Sequence, residues 1–220
     1  MELGGGSWSF VRGQLPPAPA AVLEIGCGSA GGFVPALRRE GYDAIGIDPN
    51  APDAPEFHRI PFERYESPQP VAAVVASNSL HHVGDLDEAV GRICDALQPG
   101  GTLVVVEWAW ERFDDATAQW CFARLGGEGE PGWLHRGRDN WAASGTAWDE
   151  YFSAWADGHG LHPGQEVVRR LDARFTRRMY AEGPYFFPDL DGVTREHELA
   201  AIAAGDIRAT GIRYAGTPRE

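Results

Sequence analysis

The chain predicts an α/β fold built on a doubly wound, mostly parallel sheet, and three observations carry that prediction. An apolar run, 21–25, empties into the turn Gly26-Cys27-Gly28-Ser29-Ala30-Gly31-Gly32, and an amphipathic stretch follows over 33–40. Continuous apolar runs at 71–76 and 102–106 are separated by a helical stripe with apolar residues at 86, 89, 90, 93 and 97. A second strand ends Ala44-Ile45-Gly46-Ile47-Asp48, with its carboxylate twenty positions beyond Gly28. Unbroken apolar strands are buried on both faces, and strands alternating with helices imply right-handed crossovers. In such a sheet a ligand sits at the carboxyl ends of the strands.

Composition sets the outer limits. With 220 residues, 43% hydrophobic and 23% charged, the chain suffices for one sizeable α/β domain spanning 1–220. A formal net charge of −13 argues against nucleic acid as a partner, because affinity for a polyanion is built from basic residues on phosphates. Cys27, Cys94 and Cys121 are too few and too scattered for a disulfide framework or a zinc site. The first residues, MELGGGSWSFVRGQ, lack the apolar core of a signal peptide, and no apolar run nears the roughly 20 residues that span a bilayer. A cytoplasmic protein with no membrane partner is expected. Abundant Ala, Gly, Arg and Pro without lysine point to a GC-rich bacterial genome. Oligomeric state is not legible.

Taken in order, residues 1–20 are rich in Gly and Pro and read as a loop or lead-in carrying Trp8 and Phe10. The first strand, 21–25, enters the glycine turn, where positive φ and missing side chains bring backbone to a ligand. A helix over 32–39 stops at Gly41. The strand 43–47 is followed by a proline-punctuated loop, 49–55, and by a short strand and turn at His58-Arg59-Ile60-Pro61-Phe62-Glu63. Residues 71–76 form a central strand. Helix 85–97 carries Asp85, Asp87 and Glu88 in its first turn and stops at Pro99-Gly100-Gly101. Residues 102–106 form the next central strand.

The turn and Asp48 together predict a nucleoside site, since the carboxylate falls beside a ribose held by the glycines. Gly26-Cys27-Gly28-Ser29-Ala30-Gly31 also satisfies the dinucleotide pattern G-x-G-x-x-G, so a nicotinamide cofactor is a competing reading. Against it stand Glu24, an acid better suited to an ammonium or sulfonium than to a pyrophosphate, and the missing Tyr-x-x-x-Lys pattern.

The blocks VLEIGCGSAG, AIGID, PFE, VVASNSLHHV and LQPGGTLVVVE, in this order and at this spacing, resemble the class I S-adenosylmethionine-dependent methyltransferases over roughly the first half of the chain. One departure is Ala30, where the family often has a third glycine. The resemblance implies a Rossmann-like sheet of about seven strands with an antiparallel last pair. It implies S-adenosylmethionine as cofactor, held by backbone at Gly26, Cys27 and Gly28. Glu24 would stand near its ammonium group, and Asp48, with Pro49 beside it, at the ribose hydroxyls. Phe62 and Glu63 would flank the adenine, and Asn78 would meet the methionine end. The resemblance would also make Trp8 and Phe10 of the lead-in a lid over the site.

Beyond residue 107 the composition shifts. Trp108, Trp110, Phe113, Trp120, Phe122, Trp133, Trp141 and Trp148 crowd about forty residues, so 108–148 reads as a substrate cap inserted after the fifth strand. Within it 114–125 reads as a helix and 126–146 as a loop. Residues 149–159 read as a helix, 165–175 and 207–215 as strands, and 196–204 as a helix between them. The segments 177–180 and 184–188 should border the mouth of the site. If the acceptor loses a proton, His81 or His82 on the loop after the central strand is the candidate base, with Glu107 and His135 as further candidates. No metal-ligand spacing is evident.

The leading functional reading is methyl transfer to a small aromatic or hydrophobic metabolite. The alternatives are the nicotinamide oxidoreductase and a non-methylating cyclase or binding protein on the same scaffold.

Overall fold

The computed structural model describes residues 5–127 and 131–219. Residues 1–4 of the expected lead-in and 128–130 of the expected cap lie outside the described residues. The chain runs through helix α1 (Gly5–Gln14), strand β1 (Ala21–Ile25), α2 (Val34–Arg39), β2 (Asp43–Ile47), the two-residue β3 (Phe57–His58) and β4 (Val71–Ser77). Helix α3 (Leu86–Ala96) and strand β5 (Leu97–Trp108) follow. Three helices come next: α4 (Asp115–Phe122), α5 (Trp133–Ser144) and α6 (Trp148–Gly158). The chain closes with α7 (Gly164–Arg174), β6 (Phe175–Gly183), α8 (Arg195–Ala204) and β7 (Gly211–Pro218).

The seven strands form one sheet in the order β3-β2-β1-β4-β5-β7-β6. Strands β1 to β5 are parallel, and β7 lies antiparallel between β5 and β6. This is the doubly wound, Rossmann-like sheet with a reversed last pair. Alternate residues of the central strands enter different cores. Leu23, Val74 and Val105 pack beneath α3 and α7, whereas Val22, Val75 and Val104 pack beneath α1 and α2. Strand order reverses between β1 and β4, so their carboxyl ends open a crevice.

Four segments differ from the sequence expectation. Residues 5–14 are helical rather than loop, because Phe10, Val11 and Leu15 find a buried apolar surface on the sheet. The stretch 165–174 is helix α7, not strand. Its Val167 and Leu171, four apart, are both fully buried, and Glu166 pairs with Arg169 and Arg170 on the outer side. The second half of 126–146 is helix α5, whose sequence has a weak stripe with Leu134 alone fully buried. Strand β5 starts at Leu97 rather than 102. Leu97 pairs with Val71 and Thr102 with Ala73, and residues 98–101 bulge out where Pro99 has no amide to donate.

Helices α4, α5 and α6 carry a third cluster, in which Trp108, Phe113, Trp148, Phe152 and Phe186 are buried over the carboxyl end of the sheet. Among the described residues no helix is long and apolar enough to cross a membrane.

Candidate active site

The glycine turn is held from inside by Glu24. This residue is fully buried at the end of β1, and its Oε2 accepts the backbone N–H groups of Phe33 (2.8 Å) and Val34 (3.0 Å) at the start of α2. Its other oxygen, Oε1, is buried without a hydrogen-bond partner. Burial outweighs the two amides and pushes the carboxyl up to about 8. Gly32, at φ +54°, is required beside it, since a Cβ there would lie 2.2 Å from Oε1. Gly32→Ala is therefore expected to cost about 1–2 kcal/mol from the left-handed backbone alone. That corresponds to a melting temperature lower by roughly 2–8 °C, and an unchanged melting temperature would refute the left-handed turn at Gly32.

Gly26 (φ +81°) turns the chain where a Cβ would strike Ser79 Cβ at 2.5 Å, and its N–H donates to the Ile47 carbonyl at 2.9 Å. The turn closes with Ala30 in place, Gly31 N–H donating to the Gly28 carbonyl at 3.2 Å. Burial, then the charges of Glu24 and Asp48, push the Cys27 thiol up to about 12, so this residue offers backbone rather than a thiolate. Asp48 directly follows β2, with Oδ1 accepting the Asn50 N–H at 2.7 Å. Asn78, after β4, takes φ 47°, and its N–H donates to the Val106 carbonyl at 2.8 Å.

Glu24, Gly26, Cys27, Gly28, Asp48 and Asn78 all line one cleft of about 560 Å³. Of the other residues expected at the cofactor, none lines it. Phe62 is buried in the core beneath α3, Glu63 is half-buried on a short 3-10 turn, and Pro49 is exposed after β2.

A second cavity, of about 420 Å³, adjoins the first, and Asn78 and Tyr185 line both. Its walls include Trp108, Phe113, Trp148 and Phe152, with His81 and His82 on one side. His81, 3% exposed, gives its Nδ1 to Glu107 Oε1. Glu107 is fully buried at the end of β5. Its Oε2 also accepts the N–H groups of Leu80 (2.9 Å) and His81 (3.4 Å), and Oε1 the N–H of Trp108 (2.8 Å). A carboxylate among four donors fixes the His81 hydrogen on Nδ1 and leaves a lone pair on Nε2. The ring of His82 lies 4.0 Å from that of His81, and burial, then His81, draw its pKa down. His135 does not join this group. Its Nε2 lies 2.8 Å from the Gly126 carbonyl, outside both cavities.

A third buried carboxylate shapes the mouth. Glu198 of α8 accepts the N–H groups of Tyr185 (2.8 Å), Phe186 (3.2 Å) and Phe187 (2.7 Å). Tyr185 thereby stacks on Trp108, with centroids 5.5 Å apart and planes 8° apart. The segment 184–188 borders the mouth as expected, while 177–180 runs along the edge strand β6. Ser7 of α1, Arg195 and Arg213 also line the first cleft, and no sequence motif marked them.

One lobe thus offers bare backbone, a carboxylate at the end of β2 and a buried acid, as a cationic nucleoside requires. The other offers an aromatic chamber with an imidazole held in one tautomer. Comparison with known proteins shows the family. Residues 10–159 match the family model described as methyltransferase domain. The ubiquinone biosynthesis O-methyltransferase of Bradyrhizobium sp. is 29% identical over 136 residues, covering 55% of this chain and 51% of that protein. The chain therefore spans about half the length of that curated relative. An S-adenosylmethionine-dependent methyltransferase from Mesorhizobium loti superposes with a TM-score of 0.58 at 20% identity, over 98% of this chain and 99% of that one. The geranyl diphosphate C-methyltransferase of Streptomyces coelicolor gives 0.56 at 16% identity, over 98% and 79%.

Proposed function

Since the chain belongs to the methyltransferase-domain family, in its class I, S-adenosylmethionine-dependent form, we propose that it moves a methyl group from that cofactor to a small aromatic or hydrophobic metabolite. The observation that carries the reading is the adjoining pair of cavities, one polar and glycine-walled, one aromatic, sharing Asn78 and Tyr185 in their walls. The first cavity fits the cofactor on its own chemistry. Glu24 Oε1 is an orphaned buried acceptor suited to an ammonium group, and Asp48 faces the same space with acceptors for two hydroxyls. A volume of about 420 Å³ in the second lies within the range of small-molecule sites.

The cofactor supplies an activated methyl group on a sulfonium. The chain's own residues do the rest. Backbone at Gly26, Cys27 and Gly28 and the carboxylate of Asp48 would hold the nucleoside. The stacked Trp108 and Tyr185 and the helices α4 to α6 keep water from the acceptor, and orientation at near-attack distance is worth up to about 7–11 kcal/mol. Where the acceptor is a hydroxyl, His81 Nε2 takes its proton, with Glu107 holding Nδ1–H and stabilising the charged ring. His82 lies beside this ring and lines the same cavity.

Titrating the protein with S-adenosylhomocysteine and separately with NAD tests the cofactor. The former is expected to bind, and Asp48→Ala to weaken it by more than tenfold. Unchanged affinity in Asp48→Ala refutes the ribose assignment, and binding of NAD alone refutes the reading. The acceptor is then sought by following labelled methyl into metabolites.

A further inference from the structure

Arg195, the first residue of α8, and Arg213, on β7, share the rim of the donor cleft. Both line the cleft itself and a shallow groove beside it bounded by Ser9, Phe10 and Phe187. They are the two basic side chains among the described residues of the cleft, which also holds Glu24, Asp48, Glu107, Glu182 and Asp189. Each is half-buried, and among the described residues neither has a carboxylate within ion-pair distance. Glu182, the obvious neighbour on the antiparallel strand, is taken by Arg112 and Tyr180. Glu196, next to Arg195 in the chain, attracts it electrostatically but forms no ion pair with it. Asp189 accepts from Trp133 Nε1 at 3.1 Å.

What remains is an incompletely satisfied pair of cations. Nε of Arg195 is buried with no hydrogen-bond partner, and the Arg213 guanidinium lies over the Phe10 ring at 5.7 Å. Burial first, and then the neighbouring charge of Arg195, pull Arg213 below the ordinary arginine pKa. Two like charges held together and partly desolvated are costly unless an anion completes them. Guanidinium forks match carboxylate and phosphate oxygens, two hydrogen bonds at a time.

We propose that Arg195 and Arg213 form an anion subsite that takes a carboxylate or phosphate group at the outer end of the donor cleft. The inference rests on the cofactor reading above, and the anion has two possible sources. One is the carboxylate of the cofactor's amino-acid end, whose ammonium group is assigned to Glu24. The other is an anionic group on the acceptor.

Binding of S-adenosylhomocysteine and of 5′-methylthioadenosine, which lacks the amino-acid end, is measured by calorimetry on the wild type, Arg213→Met, Arg195→Met and Arg213→Lys. In parallel, the melting temperature is followed against inorganic phosphate, with and without saturating 5′-methylthioadenosine. If the anion is the cofactor's, the two Met variants weaken S-adenosylhomocysteine by tenfold or more and leave 5′-methylthioadenosine unchanged, and Arg213→Lys restores part of the loss. If it is the acceptor's, S-adenosylhomocysteine is unaffected, but phosphate raises the melting temperature of the wild type and not of the Met variants. Both Met variants should stay folded, since each keeps an unbranched stem in a half-buried position and neither breaks an ion pair. Equal binding of both nucleosides by all four proteins, with equal responses to phosphate, overturns the subsite. Failure of every protein to bind either nucleoside overturns the cofactor reading instead, and the phosphate arm on the free protein then decides the subsite.

Discussion

Glu107→Ala is expected to destabilise the fold by about 3–5 kcal/mol, the range for removing one side of a buried, hydrogen-bonded charge cluster. Four donors converge on this carboxylate, from Leu80, His81, Trp108 and the His81 ring, and a methyl group in its place leaves all four without their acceptor. Thermal melting reads the effect, and a fall of less than about 1 kcal/mol would show that the cluster is not holding the loop. Glu107→Gln separates structure from chemistry. It keeps an acceptor oxygen but turns an NH2 group toward one of the donors, for a milder loss of about 1–3 kcal/mol. It also removes the carboxylate that keeps the hydrogen on His81 Nδ1. Nitrogen NMR of the imidazole should report the Nδ1–H tautomer in the wild type and a shift toward Nε2–H in the variant. A wild-type ring protonated on Nε2 alone would defeat the assignment. Where the acceptor gives up a proton, methyl transfer by Glu107→Gln should fall on the order of 10²-fold or more, the usual weight of a general base.

Glu24→Gln should separate stability from cofactor binding, with pH as the lever. The Glu24 carboxyl is pushed up from 4.5 to about 8, chiefly by burial. A folded-state pKa above the unfolded value means that the group favours the fold fully below about pH 4.5. That contribution is lost as pH rises through 8. Glutamine does not titrate, so variant and wild type should melt alike near pH 5. The variant should be the more stable by pH 9, by roughly 2–3 kcal/mol once the 1.36 kcal/mol per pKa unit is discounted for relaxation and water entry. Affinity for S-adenosylhomocysteine should move the other way. An ammonium arriving beside Oε1 draws the carboxyl into its ionised form, so binding releases a proton below pH 8. Wild-type affinity should then rise by up to about tenfold per pH unit between pH 6 and 8, and the variant should bind more weakly with a flat profile. A wild-type affinity independent of pH over that interval would remove Glu24 from the ammonium position.

These two residues belong to a pattern. Three fully buried glutamates each gather backbone amides at one wall of the site: Glu24 at the start of α2, Glu107 at the loop after β4, and Glu198 at the loop after β6. Loops cannot satisfy their own amides as helices and strands do, and a buried carboxylate accepts several at once. The loops that face the two cavities are thereby held to fixed positions, which near-attack geometry requires. Aromatic stacking completes the arrangement on the acceptor side, where Trp108 touches Tyr185, Phe113 and Phe152.

The sequence by itself determined the parallel core, the glycine turn and the placing of Asp48, because each rests on a local signal. Strands buried on both faces must read as unbroken apolar runs, and a turn with positive φ must be written in glycine. Tertiary structure decided what no local signal encodes. Val167 and Val168 read as strand until Val167 and Leu171 are placed on a common buried surface, and Gly137 disguises helix α5 until Leu134 packs among the cap aromatics. Tyr185 and Arg213 lie far from the glycine turn in the chain and reach the cleft only because β7 inserts between β5 and β6. Glu24 reads from sequence as a candidate partner for the ligand, and only the folded chain shows it capping α2 with one oxygen and leaving the other unpartnered. A hydrophobic period or a turn is fixed by residues within a few positions of one another. Burial, hydrogen-bond partners and charge environment are set by whatever the fold brings alongside, and at this site that comes from both ends of the chain.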